Sequence, residues 1–522
     1  MEFAIKIGML VLFFSSMIGV GFYCRKHSTD VNGFVLGGRS VGPWLTAFAY
    51  GTSYFSAVVF VGYAGQFGWN FGVASTWAGI GNAIIGSLMA WAILGRRTRV
   101  MSQHLNSATM PQFFEGRYNS KKLKLAAAVI IFIFLIPYTA SLYNGLSRLF
   151  GMAFNIDYSV CVIAMAVLTA IYVIVGGYMA TAINDFIQGI IMLVGIVAVI
   201  IAVIKGQGGF SEAFYKLSQV SDPAVSRNAG AFTSFLGPAP LSLLGVVLLT
   251  SMGTWGLPQM VQKFYAIKSE KSINKGMIIS TIFALVVAGG CYFLGGFARL
   301  IFPSTEAMQA AGGYDAIIPT MLKDLSPILV GVVVVLVLSA SMSTLSSLVM
   351  ASSSTLTLDF IKGTFAKNMS EKKQLLILRI FIAVFIAISV TIAIIQYKAS
   401  LGFIAQLMGI SWGALAGAFL GPFLYGLYWK RTSKASVWVC FCFSVVVMVA
   451  NMVAKSWFPE LLQSPINCGV FCMLAGLIIV PVVSLLTKAP DEAHIEQVFS
   501  CYDKKVVVSA KEAIGDPVHE ED

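Results

Sequence analysis

The stretch 339–347 reads SASMSTLSS and lies inside a long apolar segment, preceded by VVVVLVL and followed by LVMASS. It carries six hydroxyl groups in nine residues. A helix in hydrocarbon should carry almost none, because a buried hydroxyl costs free energy unless it finds a partner. A single Ser or Thr can donate back to its own helix four residues earlier, so the informative feature is the clustering.

The cluster has a defined geometry if the segment is helical. At 3.6 residues per turn, Ala340, Ser343, Thr344 and Ser347 share one face and Ser346 flanks it. Neutral oxygens gathered at membrane depth are the ligands that a hard cation such as sodium prefers. A seam of small residues for helix packing would have a similar composition. We predict a sodium site here, with the packing seam as the alternative.

The composition places the chain in a membrane. Of its 522 residues, 57% are hydrophobic and 11% are charged, whereas soluble domains carry about 25% charged residues. Repeated apolar runs of about 18 residues or more predict an all-α polytopic membrane protein, and we expect a multi-pass protein of the cell (plasma) membrane. The first run, 3–23, lacks a small-residue cleavage site and predicts a retained helix.

The basic residues set the predicted orientation, with the N-terminus outside and the C-terminus inside. This arrangement puts about 26 basic residues in cytoplasmic segments, among them GRRTR at 95–99, the segment from Lys263 to Lys275 and WKRTSK at 429–434. The net charge of +12 is therefore topological and requires no nucleic-acid partner. We predict about thirteen transmembrane helices, near 3–23, 44–68, 73–95, 124–152, 158–176, 179–204, 239–262, 276–302, 326–355, 377–397, 401–428, 434–455 and 467–487.

Two predicted spans contain helix-breaking sequences at mid-depth, GTSYFS at 51–56 and GTWGLP at 253–258. They stand five spans apart and so cross the membrane in opposite directions. This spacing predicts an inverted five-plus-five repeat, over about 44–204 and 239–428, with substrate and ions bound where the broken helices meet. The transport domain would occupy 1–487, and 488–522 would form a cytoplasmic tail.

Asp185 is the only carboxylate that we can place within or at the edge of a predicted span. It follows Gly177 by eight residues, or about 12 Å of helix rise. That depth favours a role in the ion path, although a residue that caps the helix after the Gly176-Gly177 turn is the alternative. All four histidines lie outside the spans, and the eight cysteines show no metal or disulfide spacing.

Four stretches resemble the sodium:solute symporter family: LGGRSVGPWLTAFAYGTSYFSAVVFVG, VGGYMATAINDFIQGIIML, GLPQMVQKFYAIKS and SASMSTLSSLVMASSS. The resemblance implies a LeuT-type fold with an additional N-terminal helix. It also implies a sodium site built from the carbonyls of Thr52, Phe55 and Ala340 and the hydroxyls of Ser343 and Thr344. A second sodium, as in the sialic acid branch, would use Asp185, Ser343, Ser346 and Ser347.

The solute is less constrained. The chain looks closer to the pantothenate, monocarboxylate-like and sialic acid carriers than to the proline or sugar carriers. Proline carriers have aromatic residues at positions matching Val58, Thr250 and Thr254, and a sugar carrier would want polar groups where Val58 and Val59 stand. Candidate solute ligands, each of which helix packing would also explain, are Tyr54, Ser56, Gln66, Tyr138, Thr254, Trp255 and Gln406.

We therefore expect a sodium-coupled symporter that imports a small organic solute by alternating access, working as a monomer with sodium as the coupling ion. The solute would be pantothenate, a monocarboxylate, an amino acid or sialic acid. A proton-coupled carrier, with Asp185 as the proton site, and a solute sensor without net transport are the alternatives. An enzyme is disfavoured, because the predicted spans contain no histidine and no nucleophile–base pair.

Overall fold

The computed structural model describes residues 2–154, 157–223, 225–226, 228, 230–366, 368–399 and 404–503, with the side chains of 2–4, 27, 54 and 399 left out. Within these ranges the chain is almost entirely helical. Its β pairing there consists of two isolated bridges, Val41 with Ile267 and Asp222 with Ser226. The predicted all-α class is confirmed.

The longer helices are Glu2–Cys24, Pro43–Tyr54, Ala64–Phe71, Arg96–His104, Met110–Tyr118, Lys121–Phe154, Tyr158–Gly206, Phe210–Gln219, Pro240–Met252, Pro258–Ala266, Lys271–Gly295, Pro327–Ser354, Glu371–Ala399, Ile404–Tyr428, Lys434–Val453, Pro465–Leu486 and Glu492–Phe499. Shorter helical segments include Val31–Leu36, Val58–Tyr63, Thr76–Gly81, Asn82–Met89, Trp91–Gly95, Thr305–Ala310, Ile317–Leu322 and Thr355–Ile361.

Ten helices in the described ranges are long and apolar enough to cross a membrane, and a pair bent by 49°, Pro240–Gly256 with Pro258–Ala266, makes an eleventh. Tyr158–Gly206 is divided by Gly177, whose φ of 59° is outside the helical region. The division falls at the predicted boundary between 158–176 and 179–204. The count of thirteen and the orientation of the termini stay predictions.

The first broken span is interrupted where the sequence predicts a break. Its inner helix, Pro43–Tyr54, ends at Phe55, which has an extended backbone with φ −91° and ψ 118°. The chain becomes helical again over Val58–Tyr63 and continues as Ala64–Phe71. The two helical halves leave backbone groups at the break without intrahelical partners.

The second broken span has a similar interruption. Pro240–Met252 is followed by the tight turn Gly253–Gly256 and then by Pro258–Ala266. Leu257 is extended, with φ −84° and ψ 124°, because the ring of Pro258 disfavours helical geometry in the residue before it. This break lies within the predicted GTWGLP segment.

Backbone hydrogen bonds join the start of the first broken span to the end of the second. The Val41 N–H donates to the Ala266 carbonyl at 3.3 Å, and the Lys268 N–H donates to the Val41 carbonyl at 2.9 Å. Since one span starts where the other ends, the two run in opposite directions. This is the relationship that an inverted repeat requires.

The hydroxyl helix, Pro327–Ser354, is at the centre of the protein. The apolar window of the helical run that contains it is 83% buried, compared with 22% for the N-terminal helix. It packs against Tyr158–Gly206, Lys121–Phe154 and the inner helix of the first broken span. Its hydroxyls therefore face protein and not lipid.

The helical run of the hydroxyl helix continues past its predicted end at residue 355, through Thr355–Ile361. The extension buries Asp359, whose carboxylate accepts from Thr109 Oγ1 at 2.6 Å and from Gln112 Nε2 at 2.8 Å. The expectation that Asp185 is the only carboxylate in a span is therefore wrong. Both oxygens of Asp359 are bonded, which fits a structural role.

Two pairs of glycines bring helices into backbone contact, and we call them the glycine seam: Gly68 with Gly295, and Gly79 with Gly289. A Cβ atom on Gly68 would lie 2.1 Å from the carbonyl carbon of Gly295, and one on Gly79 would lie 2.5 Å from the Cα of Gly289. The seam fixes the outer half of the first broken span, and the span after it, against Lys271–Gly295.

Candidate functional site

Three backbone carbonyls converge on the hydroxyl of Thr344. Thr344 Oγ1 lies 3.1 Å from the Thr52 oxygen, 2.9 Å from the Phe55 oxygen and 3.1 Å from the Ala340 oxygen. Thr52 and Phe55 belong to the first break, and Ala340 is one turn earlier in the hydroxyl helix. A hydroxyl has one proton to donate, so it cannot satisfy three carbonyls at once. Four oxygens therefore meet at one buried point.

Ser343, the fifth residue of the predicted sodium set, is adjacent to Thr344 and fully buried. Its hydroxyl lies near the Asp185 carboxylate, but it makes no hydrogen bond of ordinary geometry with the described residues. An uncommitted buried hydroxyl is costly unless something else binds it. Of the five predicted residues, the structure brings together the oxygens of four, Thr52, Phe55, Ala340 and Thr344. The five-residue sodium site stays a prediction.

Other hydroxyls of the same helix hold the first broken span in place. Ser341 Oγ accepts from the Ala57 N–H at 3.2 Å, and Ser347 Oγ lies 2.8 Å from Ser53 Oγ. Ser346 instead donates to the Ser343 carbonyl at 2.8 Å. Ser341 and Ser347 thus contact the first broken span, as a packing seam would, and Ser347 belongs to the predicted second-sodium set as well.

Asp185 is buried, as its depth in the sequence predicts, but it has a partner that the sequence reasoning missed. Lys263 Nζ lies 3.7 Å from Asp185 Oδ2, and both side chains are at most 2% exposed. The lysine was counted with the cytoplasmic basic residues because it follows an apolar run. The break in the second broken span instead carries it into the protein. The sequence did contain a signal for this partner, because a carboxylate inside a membrane span needs a nearby positive charge.

Two aromatic residues meet beside the breaks. Tyr138 and Trp412 pack edge-to-face with ring centroids 5.9 Å apart, and the Trp412 ring approaches the backbone of Gly253 in the second break. The Tyr138 hydroxyl lies near Ser56 in the first break. The sequence analysis predicts Ser56 and Tyr138 as solute ligands, which stays a prediction, and does not include Trp412, the one aromatic residue in GISWGALAG.

Polar atoms around this pair lack partners. In the described ranges, the hydroxyl of Tyr138, the indole N–H of Trp412 and the hydroxyl of Tyr63 are buried without a hydrogen bond. Oε1 of Gln66, three residues after Tyr63 in the chain, also lacks one. Buried polar groups are normally bonded. An uncharged cluster of unbonded donors and acceptors between two helix breaks is suited to binding a small polar molecule.

Two other predicted solute ligands are already engaged by the protein. Thr254 Oγ1 donates to backbone carbonyls, the nearer being that of Ser251 at 2.7 Å, and Trp255 Nε1 donates to the Ile85 carbonyl at 3.0 Å. Gln406 is half-buried near the start of Ile404–Tyr428, about 9 Å of helix rise from Trp412. The side chain of Tyr54 lies outside the described residues.

Close contacts between the first broken span and Ile404–Tyr428 cover one side of the cluster. A Cβ on Gly62 would lie 2.9 Å from the side chain of Ile404, so the first broken span and Ile404–Tyr428 are in close contact. The Ile404 N–H donates to Asp315 Oδ2 at 3.4 Å, and Arg148 Nε lies 3.8 Å from the same oxygen. Burial raises the pKa of Asp315, while Arg148 lowers it.

A polytopic helical protein whose two broken spans enclose a cation-type oxygen cluster and an uncharged polar cluster is a secondary membrane transporter. The chain belongs to the sodium:solute symporter family, whose model matches residues 34–440. The expectation from the sequence is confirmed.

Relatives and a solved structure extend the match over nearly the whole chain. The osmoregulated proline transporter OpuE of Bacillus subtilis (strain 168) is 28% identical, over 94% of this chain and 96% of its own. A sodium/proline symporter of Staphylococcus aureus (strain JH9) is 29% identical, over 92% and 93% respectively. The structure of a Na⁺-coupled sialic acid symporter superposes with a TM-score of 0.74 at 19% identity, over 93% of this chain and 98% of that one. That likeness shows a shared fold.

Proposed function

We propose that this protein is a sodium-coupled symporter that imports a small organic solute by alternating access. The observation that carries the proposal is the convergence of the Thr52, Phe55 and Ala340 carbonyls on Thr344 Oγ1. A sodium ion there would be coordinated by the three carbonyl oxygens and the Thr344 hydroxyl oxygen, and Ser343 would supply a fifth oxygen. The naming of a relative as a sodium/proline symporter agrees with this ion.

Sodium bound at this point would link the two transport elements physically. Thr52 and Phe55 lie on the first broken span, and the other three oxygens lie on the hydroxyl helix. An ion that needs both elements in contact favours the conformation in which they meet, which is how a ligand shifts a conformational equilibrium. One charge crossing 100 mV contributes about 2.3 kcal/mol, or roughly a fifty-fold solute gradient.

The solute would bind at the uncharged cluster of Ser56, Tyr138 and Trp412. The cluster suits a neutral or zwitterionic solute better than one with a net charge, because its own groups supply dipoles and no counter-charge. Pantothenate, a monocarboxylate, an amino acid and sialic acid remain the proposed panel. Only the amino acid is a zwitterion at neutral pH, whereas the other three are anions, so the uncharged cluster favours the amino acid. The expectation against proline rests on Val58, Thr250 and Thr254. The overall similarity to proline transporters weighs against that expectation, so proline is the first amino acid to test.

The test is uptake of radiolabelled solutes into proteoliposomes under an inward sodium gradient, with an equal potassium gradient as the control. Uptake that needs sodium and increases with an inside-negative potential is the expected result. Sodium-free uptake driven by a pH jump would establish the proton-coupled alternative. Sodium-dependent solute binding without flux, across the whole panel, would establish the sensor.

A further inference from the structure

Two of the four residues predicted to hold a second sodium ion contact a cation that belongs to the chain. Lys263 Nζ lies 3.7 Å from Asp185 Oδ2 and donates to Ser347 Oγ at 3.0 Å. Both residues are members of the predicted second-sodium set. The lysine extends from the inner half of the second broken span, Pro258–Ala266.

The surroundings of the ammonium group are those of a bound cation. The ring centroid of Tyr178 lies 5.1 Å from Nζ, a distance at which an aromatic face attracts a positive charge. Asp185 supplies a full negative charge, and Ser347 supplies a neutral oxygen. A sodium ion and an ammonium group carry the same charge and use the same oxygen ligands. Both cannot share one buried carboxylate without strong repulsion.

We propose that the Lys263 ammonium takes the place of a second sodium ion, so that the protein binds and moves one sodium per solute. The inference rests on the proposed function, since it assigns the stoichiometry of that same ion site. A tethered cation stays with the chain in every cycle. The ammonium group therefore holds the helices together, but it does not contribute a second transported ion to the driving force.

The ammonium also connects to the first sodium site through hydroxyls. Ser347, which accepts from Lys263, lies 2.8 Å from Ser53 Oγ. Ser53 follows Thr52, whose carbonyl faces Thr344. The chain Lys263–Ser347–Ser53 thus joins both broken spans to the hydroxyl helix next to the oxygens proposed for sodium. Lys263 is a positioning residue here. It joins the broken spans to the hydroxyl helix, as a second sodium ion would otherwise do.

The experiment counts sodium ions on the purified full-length protein by equilibrium binding of radioactive sodium, without any transport step. The wild type and Lys263→Arg should each bind one sodium, with a Hill coefficient near one. Lys263→Ala leaves Asp185, Ser343, Ser346 and Ser347 in place and should bind two. The double variant Asp185→Asn/Lys263→Met removes both charges and should bind one.

Two sodium ions on the wild type, with Lys263 present, would overturn the inference and leave sodium-coupled symport intact. One ion on a folded Lys263→Ala would also overturn it. Should that variant fail to fold, the wild-type count still decides the question. Absence of any sodium binding by the wild type would refute the proposed function itself, so the two failures are distinguishable.

Discussion

Thr344 and Thr52 are 292 residues apart in the chain, yet the hydroxyl of one lies 3.1 Å from the carbonyl oxygen of the other. The contact closes the gap between the hydroxyl helix and the first broken span at the point where the latter loses its helical hydrogen bonds. Two more carbonyls share the same hydroxyl. The effect of removing the Thr344 hydroxyl oxygen can be measured separately from the effect of shortening the Thr344 side chain.

Thr344→Val keeps the shape of the side chain and removes the oxygen. We expect it to raise the sodium concentration needed for half-maximal uptake about tenfold to a hundredfold, because losing a bond to a charged group costs about 1.5–3 kcal/mol. Thr344→Ser keeps the oxygen and should stay close to the wild type. Sodium titration of initial uptake rates measures both.

A matched control comes from the same helix. Ser353 is buried like Thr344, but its hydroxyl donates to the Val349 carbonyl at 2.7 Å, within its own helix. Ser353→Ala should leave the sodium dependence unchanged. Equal shifts in Thr344→Val and Ser353→Ala would mean that any lost hydroxyl loosens the helix, and the site assignment would fail.

Tyr138→Phe should weaken solute binding and leave sodium binding intact. The change deletes a hydroxyl that has no hydrogen bond in the described structure, and a lost bond to a neutral solute costs about 1 kcal/mol. We expect KM for the transported solute to rise about fivefold. Tyr143→Phe on the same helix is the control, because Tyr143 is also buried without a hydrogen bond in the described ranges but lies near Tyr172. A larger effect in the control than in Tyr138→Phe would contradict the solute site.

Asp185→Asn should destabilise the protein, because it leaves the Lys263 ammonium buried without its counter-charge. Breaking a buried pair in this way costs about 3–5 kcal/mol. Adding Lys263→Met removes the orphaned charge and should recover part of the loss. Thermal unfolding of the two single variants and the double variant in detergent gives the coupling between the residues. Additive losses would show that the pair does not interact.

Gly68→Ala should disrupt the fold, since the new Cβ would lie 2.1 Å from the Gly295 backbone. Overpacking of this kind costs about 1–3 kcal/mol. Gly289 belongs to the same glycine seam, but a Cβ there would meet nothing within 4 Å. Gly289→Ala should therefore be neutral or slightly stabilising. Melting temperatures of the two variants, compared with the wild type, test whether the seam depends on the Gly68 contact.

The sequence predicted the elements of the fold that have strong local signals. The break at Gly253–Gly256 and the turn at Gly177 follow from Gly and Pro, which dictate backbone geometry locally. Four of the five oxygens predicted for the sodium site, those of Thr52, Phe55, Ala340 and Thr344, lie together in the structure. Helical periodicity relates Ala340 to Thr344, and the family resemblance supplies Thr52 and Phe55. These features depend on residues close together in the chain.

The features of the site that the sequence does not predict depend on contacts between distant segments of the chain. Lys263 follows an apolar run and so looked cytoplasmic, until the break in its span placed it against Asp185. Thr254 and Trp255 looked free to bind solute, but the carbonyls of residues 85 and 86 occupy them. Trp412 became informative only beside Tyr138. Lys263 and Asp185 are 78 residues apart, and Trp255 and Ile85 are 170 residues apart. Thr254 is the exception, because its nearer partner is the Ser251 carbonyl.

The two backbone hydrogen bonds between Val41 and residues 266 and 268 offer a way to measure a step of the proposed transport cycle by amide hydrogen exchange. Any route from the sodium site to the cytoplasm that separates the inner ends of the broken spans has to break these bonds. The Val41 and Lys268 amide protons would then exchange with solvent only as often as that side opens. The exchange rates of these two amide protons would report how often the protein opens inward, without an attached label. Sodium binding should slow this exchange.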